Sequence, residues 1–155
     1  MDFDCVLSTD KEIKMKSKSK KGQMEERAYH VYRKMDFNSD RKRMSILLKD
    51  SIDGKIKLLI KGADSIIKSR LDASQLDQEF DQKMEWFLDT ASKQGLRTLL
   101  MGMRIVSPEE LAKFEADCRE AEKDLNNREA LLDRAYDEFE RKIVLIGGTA
   151  VEDRL

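Results

Sequence analysis

The run Arg43-Met44-Ser45-Ile46-Leu47-Leu48-Lys49, followed by Asp50-Ser51-Ile52-Asp53-Gly54 and then Lys55-Ile56-Lys57-Leu58-Leu59-Ile60-Lys61, decides the fold. Two apolar stretches flank a turn-rich segment ending in Asp-Gly, the pattern of two antiparallel strands joined by a short connection. Upstream, Tyr29 and Val31 alternate with more polar neighbours and Arg33 through Phe37 extend the pattern, which predicts another strand with one buried face and His30 on the other. Lys11 to Gly22, mostly Lys and Ser with Ile13 and Met15 as apolar anchors, reads as an edge strand running into a mobile, solvated loop.

Downstream of the hairpin, Gly62 leads into a short helix over Asp64 to Leu71 carrying Ile66, Ile67 and Leu71. From Gln75 to Gln94, Leu76, Phe80, Met84, Phe87, Leu88 and Ala91 recur at three- and four-residue steps on one helical face, with Gly95 as its stop. Leu96 to Val106 returns to strand-like hydrophobicity. Ser107-Pro108-Glu109-Glu110 then has the form of a helix start: a serine cap, proline at the first helical position and acids at the positive end of the dipole. Leu111, Phe114, Cys118, Ala121 and Leu125 continue that helix. After Asn126-Asn127 the pattern restarts with Leu131 or Leu132, Ala135 and Phe139, so two helices and one bent helix fit equally. Lys142 to Ile146 reads as a short strand ending in Gly147-Gly148, with Thr149 to Leu155 completing no element. Strands spaced as hairpins, with no helical crossover among the first four, predict an α+β fold: a mainly antiparallel twisted sheet covered by helices.

The 155 residues suit one globular domain that removes roughly two-thirds of its unfolded surface from water. With 39% charged and 40% hydrophobic residues, the chain is too apolar for a disordered protein and too interrupted by charge for a membrane span. Thirty Lys and Arg against thirty-one Asp and Glu leave a net charge of −1, which excludes a global field for nucleic acid or an anionic bilayer. Any basic site is local. Cys5 and Cys118 form no CxxC unit and read as reduced thiols, with no structural zinc site.

Three places could carry chemistry. Phe37, Asn38 and Ser39 precede Arg41-Lys42-Arg43, so an aromatic face that can stack on a base lies beside cations that attract phosphates; a solvated basic turn beside a core phenylalanine fits the same spacing. Lys61-Gly62-Ala63 ends a strand with an ammonium and a glycine that admits a ligand to the backbone, although the spacing is not that of a Walker A loop. Arg97, at the head of a strand, is either a third cation of the same pocket or a surface arginine. Phe80, Trp86, Phe87, Phe114 and Phe139 mostly fall at helical spacing and read as core, and His30 has no nucleophile or metal-ligand companions nearby in sequence. The acids from Glu109 to Glu140 interleave with Lys and Arg as on an exposed helix face, so paired-carboxylate catalysis is not indicated.

Four blocks occur in order: Phe37-Asn38-Ser39-Asp40-Arg41-Lys42-Arg43-Met44-Ser45, Lys61-Gly62-Ala63-Asp64, Gly95-Leu96-Arg97-Thr98-Leu99 and Gly147-Gly148-Thr149-Ala150-Val151-Glu152-Asp153-Arg154-Leu155. From Gly22 to Leu155 the chain resembles the nucleotide-binding domain of type-IV P-type ATPases, the phospholipid-transporting flippases. The resemblance implies ATP as ligand, with adenine stacked on Phe37, Lys61 lining the pocket, Arg97 reaching the ribose and phosphates, and Ser39 and Gly62 as further pocket residues. It implies residues 1–146 as an N-terminally truncated nucleotide-binding domain and 147–155 as a hinge and the start of a phosphorylation domain. The family's Asp-Lys-Thr-Gly-Thr acceptor and Thr-Gly-Asp and magnesium-binding motifs are absent, so Mg2+ is expected only in the full-length enzyme, with no metal site and no catalytic residue here. Also absent is the Ser-Pro-Asp-Glu block that supplies an acid to the adenine pocket, which implies weakened affinity and apolar surface left uncovered by a missing N-terminal helix. The implied partners are the phosphorylation and actuator domains of the same parent and an accessory subunit, and the implied place is the cytosolic side of an integral membrane protein. A second reading makes the charged helices over 108–141 a non-catalytic protein-interaction module.

Overall fold

The computed structural model describes residues 3–18, 24–75 and 78–152. Seven strands form one sheet: β1 (Phe3–Ser8), β2 (Glu12–Lys18), β3 (Met24–Met35), β4 (Arg43–Asp50), β5 (Ile56–Gly62), β6 (Arg97–Val106) and β7 (Val144–Val151). Spatial order equals chain order, and every neighbouring pair is antiparallel. Helices α1 (Asp64–Lys68) and α2 (Gln78–Lys93) lie between β5 and β6, and α3 (Pro108–Lys123) and α4 (Arg128–Phe139) between β6 and β7. The expected α+β class is the observed one.

Alternation explains the layers. On β4 and β5 the buried positions Leu47, Leu58 and Ile60 share one face with Arg43 and Ser45, and β6 adds Leu100 and Val106. Against that face α1 contributes Ile67, α2 contributes Met84 and Leu88, and α3 contributes Phe114 and Cys118, making one continuous core. Phe114 also stacks on Phe139 of α4, with ring centroids 3.9 Å apart. Burial pushes the Cys118 thiol up to about 11, which leaves it protonated and unreactive at neutral pH. Two punctuation residues behave as expected: Gly54 and Gly95 hold left-handed φ values of 67° and 69°, which close the β4–β5 turn and follow α2. Ser107 caps α3 in a reciprocal capping box, accepting from the Glu110 amide at 3.2 Å while the Glu110 carboxylate accepts from the Ser107 amide at 2.9 Å.

Several expectations are corrected. The Lys11 strand is not the edge, because β1 pairs outside it; part of the loop running to Gly22 lies outside the described residues, as do Leu76 and Asp153 to Leu155. The last strand does not stop at the glycine pair: Gly147 to Val151 continue β7, in register with Met101 to Arg97. Residues 108–141 hold two helices, broken where Asp124 accepts from the Asn126 and Asn127 amides. Trp86 is not core; it is 70% exposed on the outer side of α2. Glu140 is not on a solvated face but fully buried, for reasons that belong to the site below.

At the far end of the hairpin Lys57 Nζ donates to Asp50 at 2.8 Å and lies 2.7 Å from Asp53. The Asp50 carboxyl is thereby held below the ordinary aspartate range, first by the bond from Lys57, against the opposing effect of burial, with the Ile52 amide adding to the shift. A depressed carboxyl contributes stability that is complete above its unfolded pKa of about 4 and is lost as pH falls through its lower folded value. Urea unfolding followed from neutral to acidic pH should therefore show a falling limb below the ordinary aspartate range; Lys57→Met should shrink that limb and, because Asp50 and Asp53 hold the Lys57 ammonium above the ordinary lysine range, should also remove its share of the loss at alkaline pH.

Candidate functional site

The loop between β3 and β4 is built on a buried carboxylate. Glu140, immediately after α4, accepts from Arg41 Nη2, Arg43 Nε and Ser45 Oγ, each at 2.5 Å. All four residues are buried. Arg43 reaches on to Asp137 at 3.1 Å, and Asp137 also accepts from Arg70 and Arg141. Arg41 Nη1 donates to the Asp36 carbonyl at 3.0 Å, and its guanidinium lies 5.1 Å from the centre of the Tyr136 ring. Within the loop, Asn38 Oδ1 accepts from the amides of Asp40 and Arg41, an Asx turn. Of the basic triplet only Lys42 is exposed, and it holds a left-handed φ of 51° that is uncommon for a side-chain-bearing residue. Neither reading of the triplet from spacing alone describes Arg41 and Arg43: they are internal counter-ions, and neither phosphate cations nor a solvated turn.

Among the described residues no helix lies over the centre of the opposite face of the sheet, yet it is apolar there. Met44, Ile46, Leu59, Met101 and Ile146 line an open cavity of about 370 Å³, joined by Lys61, Lys34 and Asp36. A one-side-covered antiparallel sheet ordinarily turns polar residues outward. Apolar residues at the outward positions of three adjacent strands therefore mark a surface meant to be covered. Ile146 reaches this face because of a bulge: Met101 pairs with Gly147 and Gly102 with Leu145, leaving Ile146 as the extra residue. Lys34 is engaged by the Thr9 carbonyl at 3.0 Å and lies 3.5 Å from Asp10. Lys61 has no hydrogen-bond or ion-pair partner among the described residues, so its ammonium is available to an anion.

The residues singled out from sequence fall as follows. Lys61 lines the cavity directly, paired in the sheet with Met44 and Met101. Phe37 sits in the β3–β4 loop next to the lining residue Asp36 and is 61% exposed, so its ring is open to stacking. Ser39 is exposed in the same loop. Arg97 is exposed at the first position of β6, four residues before Met101 on the same alternating face and about 13 Å along the strand. It is not among the cavity-lining residues. Gly62 faces the other way, opposite Arg43, and is needed there for close packing: a Cβ would lie 2.6 Å from Arg43 Cβ and 2.7 Å from the Lys42 carbonyl. Sequence reasoning did not find Asp36, Met44, Ile46, Leu59, Met101 or Ile146. The readable signal was apolar residues at both parities of the β4, β5 and β6 runs, which a sheet covered on one side does not require.

A meander sheet with helices on one face and a lysine-bearing apolar cavity on the other defines an α+β domain with one open face. Residues 6–155 match the family P-type ATPase, cytoplasmic domain N, and the chain belongs to that family. It is 39% identical to phospholipid-transporting ATPase 10 of Arabidopsis thaliana over 86% of this chain and 11% of that protein. Against the yeast (Saccharomyces cerevisiae) phospholipid-transporting ATPase DRS2 the identity is 42%, over 84% of this chain and 9% of the relative. Against the human phospholipid-transporting ATPase IC it is 38%, over 84% and 10%. The chain thus spans about a tenth of the length of these relatives. No helix among the described residues is long and apolar enough to cross a membrane.

Because Gly62 is held between strands and not in the cavity, Gly62→Ala should act on the fold first. We expect a loss of about 1–3 kcal/mol in chemical denaturation, the usual cost of overpacking, as the added methyl displaces Arg43 from its partners.

Proposed function

We propose that this chain binds ATP on the open face of its sheet, with adenine against Phe37 and the apolar cavity wall, Lys61 beside the nucleotide, and Arg97 toward the ribose and phosphates. The observation that supports it most directly is the uncovered apolar cavity with an unpaired lysine on its wall, at the same end of the sheet as an exposed phenylalanine and an exposed arginine. Ser39 and the exposed Lys42 are second-tier contacts from the loop; Gly62 contributes by letting Lys61 and the β4 start pack closely. Phosphorylation by ATP is largely a matter of positioning and electrostatics, so a domain that carries ATP to an acceptor on a neighbouring domain contributes by orientation.

In the parent protein that acceptor would be an aspartate of a phosphorylation domain, approached by rigid-body closure. The parent is then an ATP-hydrolysing phospholipid translocase of a membrane, working with its actuator domain and an accessory subunit, and this domain lies in the cytosol. Mg2+ would accompany ATP there. The described residues hold no group of three or more His, Cys, Asp or Glu placed for a metal, so no step is assigned to one in this chain.

Titration of the purified chain is expected to give saturable ATP-induced NMR shifts around Phe37, Lys61 and Arg97, with affinity near 1 mM, about 4 kcal/mol. Shifts confined to the helices over 108–141 would favour the interaction-module reading instead. Phe37→Ala should cost roughly 1–3 kcal/mol for ATP and AMP alike, whereas Arg97→Ala should weaken ATP more than AMP. With γ-labelled ATP and magnesium, no hydroxylamine-sensitive label and no phosphate release above buffer are expected, since the chain lacks the family's acceptor aspartate in its Asp-Lys-Thr-Gly-Thr setting.

A further inference from the structure

We propose that Arg41 is a positioning residue that aims Phe37, by bridging the buried Glu140 carboxylate to the peptide unit from which Phe37 departs; its consequence for binding rests on the ATP reading above. Arg41 is 6% exposed and cannot itself meet a ligand. Its guanidinium faces two acceptors at once: Nη2 donates to Glu140 Oε1 at 2.5 Å and Nη1 to the Asp36 carbonyl at 3.0 Å. That carbonyl belongs to the amide whose nitrogen is Phe37's. One planar fork therefore ties the end of α4 to the point where the chain leaves β3, and the Tyr136 ring beneath it restricts its rotation.

Asn38 Oδ1 accepts from the amides of Asp40 and Arg41, and the Lys42 amide donates to the Asn38 carbonyl at 2.9 Å, bonds that lie within the turn. The far side of the loop is tied to the sheet, where the Ala63 amide donates to the Lys42 carbonyl and Arg43 Nη1 to the Arg41 carbonyl, each at 3.1 Å; the Phe37 side is not held by these bonds. Among the described residues, Arg41 is the hydrogen-bonded link from Asp36, Phe37 or Asn38 to the helical layer. A stacking platform contributes to affinity only in so far as it is held in place before the base arrives, because ordering it on binding subtracts from the gain. Arg43 and Ser45 complete the shell of Glu140, and Arg43 also holds the Arg41 carbonyl, but neither bonds to Asp36, so compensation of the Glu140 charge and the hold on the Asp36–Phe37 peptide unit are separable.

Arg41→Lys separates them. A lysine keeps a cation beside Glu140 but cannot span both acceptors, whereas Arg41→Ala or Glu140→Ala could fail to fold through an unpaired buried charge. Leu88→Ala, on α2 in the core of the opposite face, serves as a destabilised control. In the ligand-free Arg41→Lys protein, 15N relaxation should show lost order at the amides of residues 36–40. ATP and AMP affinities should fall together by roughly three- to tenfold, a part of the full stacking contribution. In that background Phe37→Ala should cost less than in the unaltered chain, a coupling that a double-mutant cycle reads. Leu88→Ala should lower Tm with loop order and affinity unchanged. An ordered loop in Arg41→Lys, or an undiminished Phe37→Ala effect there, would overturn the positioning role while leaving ATP binding intact. If the unaltered chain itself binds nucleotide without any dependence on Phe37, the nucleotide assignment fails, and the positioning role with it.

Discussion

A carboxylate with no access to water has to be matched by donors inside the protein, and Glu140 is matched by three, from Arg41, Arg43 and Ser45. Taking such a group out of water carries a penalty of several kcal/mol that its Coulomb and hydrogen-bond partners must offset. The two guanidiniums are buried as well, so each ion justifies the burial of the others, and none is tolerable alone. Because Arg43 and Ser45 alternate with the apolar positions of β4, the network sits on the same inner face as Leu47, Leu58 and Ile60. It fixes where the end of α4 meets the sheet. Asp137, one turn earlier, repeats the arrangement with Arg43, Arg70 and Arg141 and carries it to the segment after α1.

That polar clamp divides the two faces of the sheet. On the inner side, helices bury a continuous core from Ile56 to Leu100; on the outer side, the same strands turn Met44, Ile46, Leu59 and Met101 into an uncovered cavity. Keeping Arg41 and Arg43 inward leaves the outer cavity with few fixed charges: apolar walls and, among the described residues lining it, the Lys61 ammonium without a partner. The bulge at Ile146 adds a wall that regular pairing with β6 would have turned elsewhere. Affinity on such a surface comes from covered apolar area, and direction comes from a few cations around it.

Much of the fold was legible because it is written locally. The β4–β5 hairpin, the Ser107-Pro108 start of α3 and the glycine after α2 each follow from a few adjacent residues, and all stand where the sequence puts them. What was illegible depends on distant partners. Glu140 looks like any acid on a charged helix until Arg41 and Arg43, 99 and 97 positions earlier, are brought against it. The continuation of β7 through Gly147-Gly148 is equally non-local: these glycines suit a strand here because β6 pairs with them and Phe87 leaves no room for a side chain at Gly148. Of the site, Lys61 and Phe37 were readable as residue types at strand ends. The cavity between them was not, since it depends on which parity of each strand the helices happen to cover.

The meander order has a consequence for how the chain reaches this structure. β1 and β2, and β3 through β5, are joined by short connections, whose closure removes little chain entropy, and that entropy grows only slowly with length, by about 0.6 kcal/mol per doubling. The two longer closures are the excursions through α1–α2 and α3–α4, which separate β6 and then β7 from the strands they join. Topology therefore concentrates the kinetic burden of folding in the carboxyl-terminal half, where the β5–β6 and β6–β7 pairings are the most distant strand pairings along the chain. Glu140 lies four residues ahead of Val144, so the docking of β7 and the closing of the buried ion cluster fall within one and the same late step.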